Sequence, residues 1–302
     1  MMKEKNEPLC RPTTDGEITG TICVFLASVF FSIGGLCVKL IPWSALAING
    51  ARNLIGAAVI GVFLLVTGHA VRLNRPVLIG ALSTIGVTTL FTISNKLTTA
   101  ANAIVLQFTA PVFVIVLMAA LFHKKPKQRE LLTCAVVFFG VLLFFVDGLQ
   151  TGNLLGDLLA VLSGVCYAGV FLMNTAEGAD ALSSCFLGQL AAGIAFSPLC
   201  LLETDFSIPV VSAVLLLGVV QVGAAYILLS IGIRRTGAVT ASLMTGLEPI
   251  LNPLWVALFY GERISSLAMV GAVIVVGGIV LYQVSMAKPV KDDNEVVGDS
   301  AH

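Results

Sequence analysis

The sequence predicts an all-α membrane protein, ten transmembrane helices in two inverted five-helix repeats, and three observations carry that prediction. Apolar residues make up 57% of the 302 residues and charged residues 11%, with a mean hydropathy of +0.99; a soluble globular protein carries about 25% charged residues. The apolar residues form ten long runs divided by charges, prolines and short polar clusters. The second half of the chain repeats the first at a nearly constant offset. The first observation argues against a water-soluble enzyme. With 17 Lys+Arg against 17 Asp+Glu, the chain has no basic surface for nucleic acid.

The runs lie at 18–39, 43–66, 77–95, 101–121, 131–147, 157–176, 181–202, 210–231, 238–259 and 266–286. A helix needs about 20 apolar residues to cross a bilayer, and these runs are continuous rather than alternating, which marks helices and not barrel strands. The first is about 22 residues long, beyond the 7–15 of a signal-peptide core, and reads as a retained span. Small residues four apart recur, as in Ser28/Ser32, Ala57/Gly61, Gly164/Ala168, Gly188/Ala192 and Ala268/Ala272, and let helix backbones approach closely. Seven cysteines and three histidines form no C-x-x-C pair and no zinc-like cluster, so the thiols read as small apolar packers and neither metal nor cofactor is expected.

Placing the N-terminus inside puts 13 of the 17 Lys and Arg on the cytoplasmic side, among them Arg72, Arg75, Lys124, Lys125, Arg234 and Arg235. Only Lys39, Lys96 and Arg263 fall outside, and Arg52 lies within a run. The positive-inside rule then sets both termini, 1–17 and 287–302, in the cytoplasm of a cell-membrane protein.

The repeat fixes the organisation. Gly20–Ser32 answers to Gly156–Ala168 at an offset of 136, and Ala103, Pro111, Ala119, Phe122 and Gly140 answer to Ala241, Pro249, Ala257, Tyr260 and Gly278 at 138. The units are 18–147 and 157–286. Five spans is an odd number, so the copies cross the membrane in opposite senses. Inverted repeats are a feature of secondary transporters, with solute sites near the midplane where the repeats meet.

Arg52 and Glu248 lie nine and ten residues into their runs, about 14–15 Å deep at 1.5 Å per residue. An ionisable group there costs at least ~2.5 kcal/mol on insertion scales and faces a cavity or a partner. At the repeat offset Arg52 answers to Gln189 and Glu248 to Ala110, so the charges are not part of the shared scaffold. The alternative is structural: Glu248 caps a helix broken at Pro249 while Arg52 snorkels. Pro111, Pro249 and Pro253 free the carbonyls of Gln107, Thr245 and Pro249, as cavity linings or as plain kinks. Asn252 lies one turn beyond Glu248 on the same face. Tyr167 answers to Phe31, and Tyr226, Trp255 and Tyr260 add aromatic surface for a path, for packing or for interface anchoring. Lys96, Arg234 and Arg235 read as orientation anchors.

In order and spacing, several segments resemble one family. They are Lys39, Arg52–Ala57, Asn95–Ala103 running on to Pro111, Arg234–Ala238, Leu247-Glu248-Pro249, Phe259–Arg263, and the helix of Gly271, Gly277 and Gly278. The chain resembles the EamA-type ten-helix transporters of the drug/metabolite transporter superfamily. It departs at His123-Lys124-Lys125, where that family shows Gly-Glu-Arg or Gly-Glu-Lys, in what reads as a structural turn. The resemblance implies a secondary transporter that exports a small metabolite, an amino acid or related solute, with the lipid bilayer and the solute as partners; a homodimer is allowed but not required. An uptake permease on the same scaffold and a channel stay open. A membrane enzyme lacks its residues, for no His-x-x-Glu-His, Gly-x-Ser-x-Gly or P-loop pattern occurs. The first run holds no acid, which argues against proton coupling and leaves exchange or uniport open.

Overall fold

The first apolar run folds as two helices, because the chain turns at Ile33 ahead of the Gly34–Gly35 pair: α1 spans Thr14–Ser32 and α2 Gly34–Leu40. This is a computed structural model, and it describes residues 14–98, 100–146, 153–173, 176–251, 255 and 265–287. Helix α3 (Ala45–Thr67) starts at Ser44, whose hydroxyl accepts from the Ala47 amide at 3.4 Å, and stops at Gly68 with φ 65°. Helix α4 (Arg75–Leu97) starts at Asn74, which accepts from Val77 N at 3.1 Å, with a proline in its first turn. These caps satisfy amides that a helix start leaves without partners.

The fourth run breaks at Phe108–Thr109 into α5 (Ala100–Gln107) and α6 (Ala110–Phe122), just ahead of Pro111, which has no amide to continue the ladder. Helix α6 ends at His123 with φ 53°. That left-handed conformation costs a non-glycine residue roughly 1–2 kcal/mol, and it falls where the resemblance expects glycine. Helix α7 covers Gln128–Phe145 and α8 Leu154–Leu172. Helix α9 (Ala181–Phe196) tightens into a 3₁₀ tail, Ser197–Leu202. Helix α10 (Ile208–Leu216) passes through a π segment, Leu217–Ala224, into α11 (Ala225–Thr236). Helix α12 (Ala238–Met244) breaks into a 3₁₀ turn at Thr245–Leu247 before helix resumes at Glu248, and α13 covers Ser266–Ala287. Among the described residues there is no strand.

Six helical stretches are long and apolar enough to cross a membrane: Ala45–Thr67, Arg75–Leu97, Asn102–Phe122, Leu154–Leu172, Ala181–Leu202 and Ile208–Thr236. Gly16–Ser32, Ala238–Leu251 and Met269–Tyr282 are shorter apolar helices. Each of the ten expected runs contains described helix. Large apolar side chains also cover the outside, with Leu65 83% and Leu201 87% exposed. Such a surface suits lipid and not water.

Glycines mark where helices touch and in which sense they run. A Cβ on Gly193 would meet the backbone of Leu54 at 2.7 Å, and one on Gly61 the ring of Phe186 at 3.2 Å, so α3 and α9 pack antiparallel. Helices α4 and α8 are antiparallel too, through Gly169 against Ser83 and Gly80 against Met173. So are α1 and α11, through Gly232 against Val24 and Gly20 against Arg235, and α7 and α13, through Gly140 and Gly278. Helix α4 also packs on α9, as the π segment packs on α3.

Candidate functional site

Two narrow adjoining pockets, with room for about 20 and 30 Å³ of water, share Phe31, Arg52, Phe91, Gln221 and Glu248. The outer one reaches Gly34 and Val38 on α2 and Asn95 on α4, toward the end where those helices finish and α3 begins. The inner one runs to Thr88, Gln107, Tyr167 and Tyr226. The walls come in part from the helices that break, at Ile33, at Phe108–Thr109 and at Thr245–Leu247, and in part from the unbroken α3, α4 and α8. A broken helix exposes backbone and polar groups at membrane depth only where they line a cavity or are buried in protein.

Arg52 is held by one edge. Its Nη2 donates to Thr92 Oγ1 at 2.7 Å, the Thr88 carbonyl at 3.1 Å and Asn49 Oδ1 at 3.3 Å, and its Nη1 reaches Gln221 Oε1 at 3.5 Å. Asn53 Nδ2 donates to the same Asn49 Oδ1 at 2.9 Å. The buried Nε has no partner. Arg52 is only 3% exposed, so a guanidinium is aimed into the cavity with hydrogen-bonding capacity to spare. Glu248 lies on the opposite elements. Among the described residues the only ion pair is His69–Asp180, so Arg52 and Glu248 share the cavity without joining.

Around them, Gln107 Nε2 donates to Ser163 Oγ at 2.6 Å. Tyr167 and Glu248 line the same pocket, and the Thr245 hydroxyl donates to the Ser242 carbonyl at 2.8 Å. Phe31 and Tyr226 stack edge to face, their centroids 5.1 Å apart, and Trp255 Nε1 donates to Ser32 Oγ at 2.8 Å. Thus the structure gathers Arg52, Gln107, Tyr167 and Glu248 in one pocket, which the repeat mates Phe31 and Tyr167 both line; Thr245 is buried at the break beside Glu248 but lines neither pocket. Pro111 and Pro249 are buried at two of the breaks, and Pro249 lines the outer pocket.

Gln189 is not brought to this cavity. It is fully buried on α9, which packs on α3 and α4, and neither its oxygen nor its nitrogen has a partner. Asn252, Pro253, Tyr260 and the Phe259–Arg263 segment lie outside the described residues. Sequence reasoning passed over Asn49, Asn53, Thr88, Thr92 and Gln221. The available signal was Asn49 and Asn53 beside Arg52 on one helix, and a glutamine amid the apolar eighth run.

A family model described as "EamA-like transporter family" matches residues 18–146 and 154–283. No curated protein matches the chain. Among solved structures, one described only as "Crystal structure of protein" is 18% identical, covers 88% of this chain and 98% of its own, and superposes with a TM-score of 0.76. At that identity the likeness shows a shared fold.

Proposed function

The chain belongs to the EamA-like transporter family and is a multi-pass membrane protein of the drug/metabolite transporter type; on that premise we propose that it is a secondary transporter moving a small metabolite, an amino acid or related solute, outward across the cytoplasmic membrane by alternating access. The observation that carries this reading is Arg52 and Glu248 in one cavity with no ion pair between them, the Arg52 Nε having no partner. A zwitterion suits both: its carboxylate faces the guanidinium of Arg52, and its ammonium faces Glu248. Charge-assisted bonds of that kind are roughly twice as strong as neutral ones. Gln107, Gln221 and Tyr167 supply neutral polar wall.

The direction of packing supports ten crossings in two inverted units, 18–147 and 157–286. Exchanging the units maps α1 on α11 to α8 on α4, and α4 on α9 to the π segment on α3. The same exchange maps α3 on α9, and α7 on α13, onto themselves. Two copies related in this way have two equivalent arrangements, open to either side. The bias of Lys and Arg supports cytoplasmic termini.

Counterflow of labelled amino acids into preloaded proteoliposomes tests the function. Saturable accumulation driven by unlabelled solute inside is expected. Flux that rises linearly with concentration, with no counterflow, would make the protein a channel and overturn the reading.

A further inference from the structure

The seam between α3 and α9 is fastened at both ends. At one end His69, just past α3, meets Asp180, the residue that precedes α9: Nε2 and Oδ2 are 2.6 Å apart. Ser183 donates to the same Oδ2 at 2.5 Å and accepts from the Arg72 amide at 3.0 Å. Beside them Asn74 Nδ2 donates to the Gly178 carbonyl at 2.8 Å. At the other end Ser44, the residue that precedes α3, donates from its amide and hydroxyl to Glu203 Oε1 at 2.9 and 2.7 Å. Trp43 Nε1 donates to the Asp205 carbonyl at 2.7 Å. At the repeat offset of 136, Ser44 answers to Asp180 and His69 to Asp205, although the second clasp runs through Glu203 and not the Asp205 side chain. The two clasps are alike in placement, each joining the start of one helix to the segment that follows the other.

Polar contacts at opposite ends of a transporter invite a reading as alternating gates. Three observations oppose it. Both clasps are closed in one conformation. No described residue of α9 lines either central pocket, and the separate open pocket that His69 and Leu182 line shares no residue with them. Between the clasps the backbones touch with no side chain to spare, at Gly193 against Leu54 and at Gly50 against Phe196 and Ser197. A tight interface of this kind favours discrete packed states over sliding.

We propose that the α3–α9 pair is a fixed spine whose two clasps stay closed through the whole transport cycle, while access opens on the far wall between α2 and α4. The inference rests on alternating access as the mode of transport. The broken helices around the cavity carry the motion, and the spine supplies the axis on which the two halves turn. Arg52 projects from this spine and is bonded to Thr88 and Thr92 of α4, which itself packs on α9, so Arg52 stays with α3 and α4 while α2 moves.

The test uses a full-length parent whose seven cysteines are replaced and whose amino-acid counterflow is retained. His69→Cys with Asp180→Cys, and Ser44→Cys with Glu203→Cys, are bridged by a short bismaleimide, and counterflow is compared before and after bridging in each variant. Counterflow that survives both bridges is expected. Its loss on bridging either clasp identifies a gate and overturns the spine. Val38→Cys with Asn95→Cys, bridged across the far wall, is expected to lose counterflow; retention there overturns the assignment of the moving wall. Absence of counterflow in the wild-type protein overturns the transport reading itself, a result distinct from loss on bridging.

Discussion

Replacing Arg52 by glutamine separates recognition from folding, because every acceptor that its Nη2 abandons keeps another donor. The Thr88 carbonyl still receives Thr92 Oγ1 at 2.6 Å, and Asn49 Oδ1 still receives Asn53 Nδ2 at 2.9 Å. Thr92 Oγ1 stays engaged as that donor. A buried acceptor left bare costs about 1–3 kcal/mol, and here only the part-buried Gln221 Oε1 loses its donor, a long 3.5 Å bond, so the thermal stability of Arg52→Gln in detergent is expected within about 1 kcal/mol of wild type. The solute has no such reserve. Removing one partner of a buried, hydrogen-bonded charge pair costs about 2–5 kcal/mol, which is roughly 30-fold to several thousandfold in affinity at 1.4 kcal/mol per decade. The assay is the initial rate of counterflow against concentration for an amino acid and for its amide, which keeps the ammonium and lacks the carboxylate. The acid should lose efficiency by that factor and the amide should change little. Equal losses for acid and amide, or a stability loss large enough to explain both, would refute docking of a carboxylate on Arg52.

Three further outcomes follow from the packing. Gly193→Val places side-chain atoms where a Cβ alone already meets the Leu54 backbone at 2.7 Å; overpacking of this kind costs about 1–3 kcal/mol and should appear as a lower melting temperature with less folded protein in the membrane. Gln189→Met removes a fully buried amide with no partner at either atom; since such a group carries a desolvation cost of about 1–3 kcal/mol, the variant should melt higher with counterflow retained. Burial pushes the Asp180 carboxyl up, but the bonds from His69 and Ser183 and the charges of His69 and Arg234 outweigh it and hold the group below its ordinary 3.8. Its contribution is therefore complete above 3.8 and is lost as pH falls through the lower folded value. Asp180→Asn should melt below wild type at pH 7, by an amount equivalent to about 1.5–3 kcal/mol for hydrogen bonds to a charged group, and the gap should close in acid below 3.8; a gap that persists there would refute the role of the carboxylate charge.

The fold was legible where it depends on composition and period. The all-helical fold, its six long apolar helices, the two-repeat organisation and the break before Pro111 follow from which residues are apolar and where an amide is missing. The site was legible where it depends on depth, since a charge such as Arg52 or Glu248 far from either membrane face has few reasons to be there. What escaped depends on contacts between distant segments. Thr88 and Thr92 look like ordinary helix residues until α4 lies against α3, and Gln221 matters only because the π segment turns it to Arg52. Gln189 shared a repeat position with Arg52 but not its surroundings, because the two faces of the α3–α9 seam are unlike. The clasps were illegible for the same reason: His69 and Asp180 stand 111 positions apart, in loops that carry no period.

That one chain ties the same knot with unlike threads has an evolutionary reading. An imidazole and a carboxylate serve at one end, a hydroxyl and a carboxylate at the other, so selection need only preserve the location of a partner and is free to swap its chemistry. Positions 69 and 180 should then drift together among descendants, as should 44 and 203, each couple independently of the other, and that correlated drift would be readable in an alignment even where no single residue is kept.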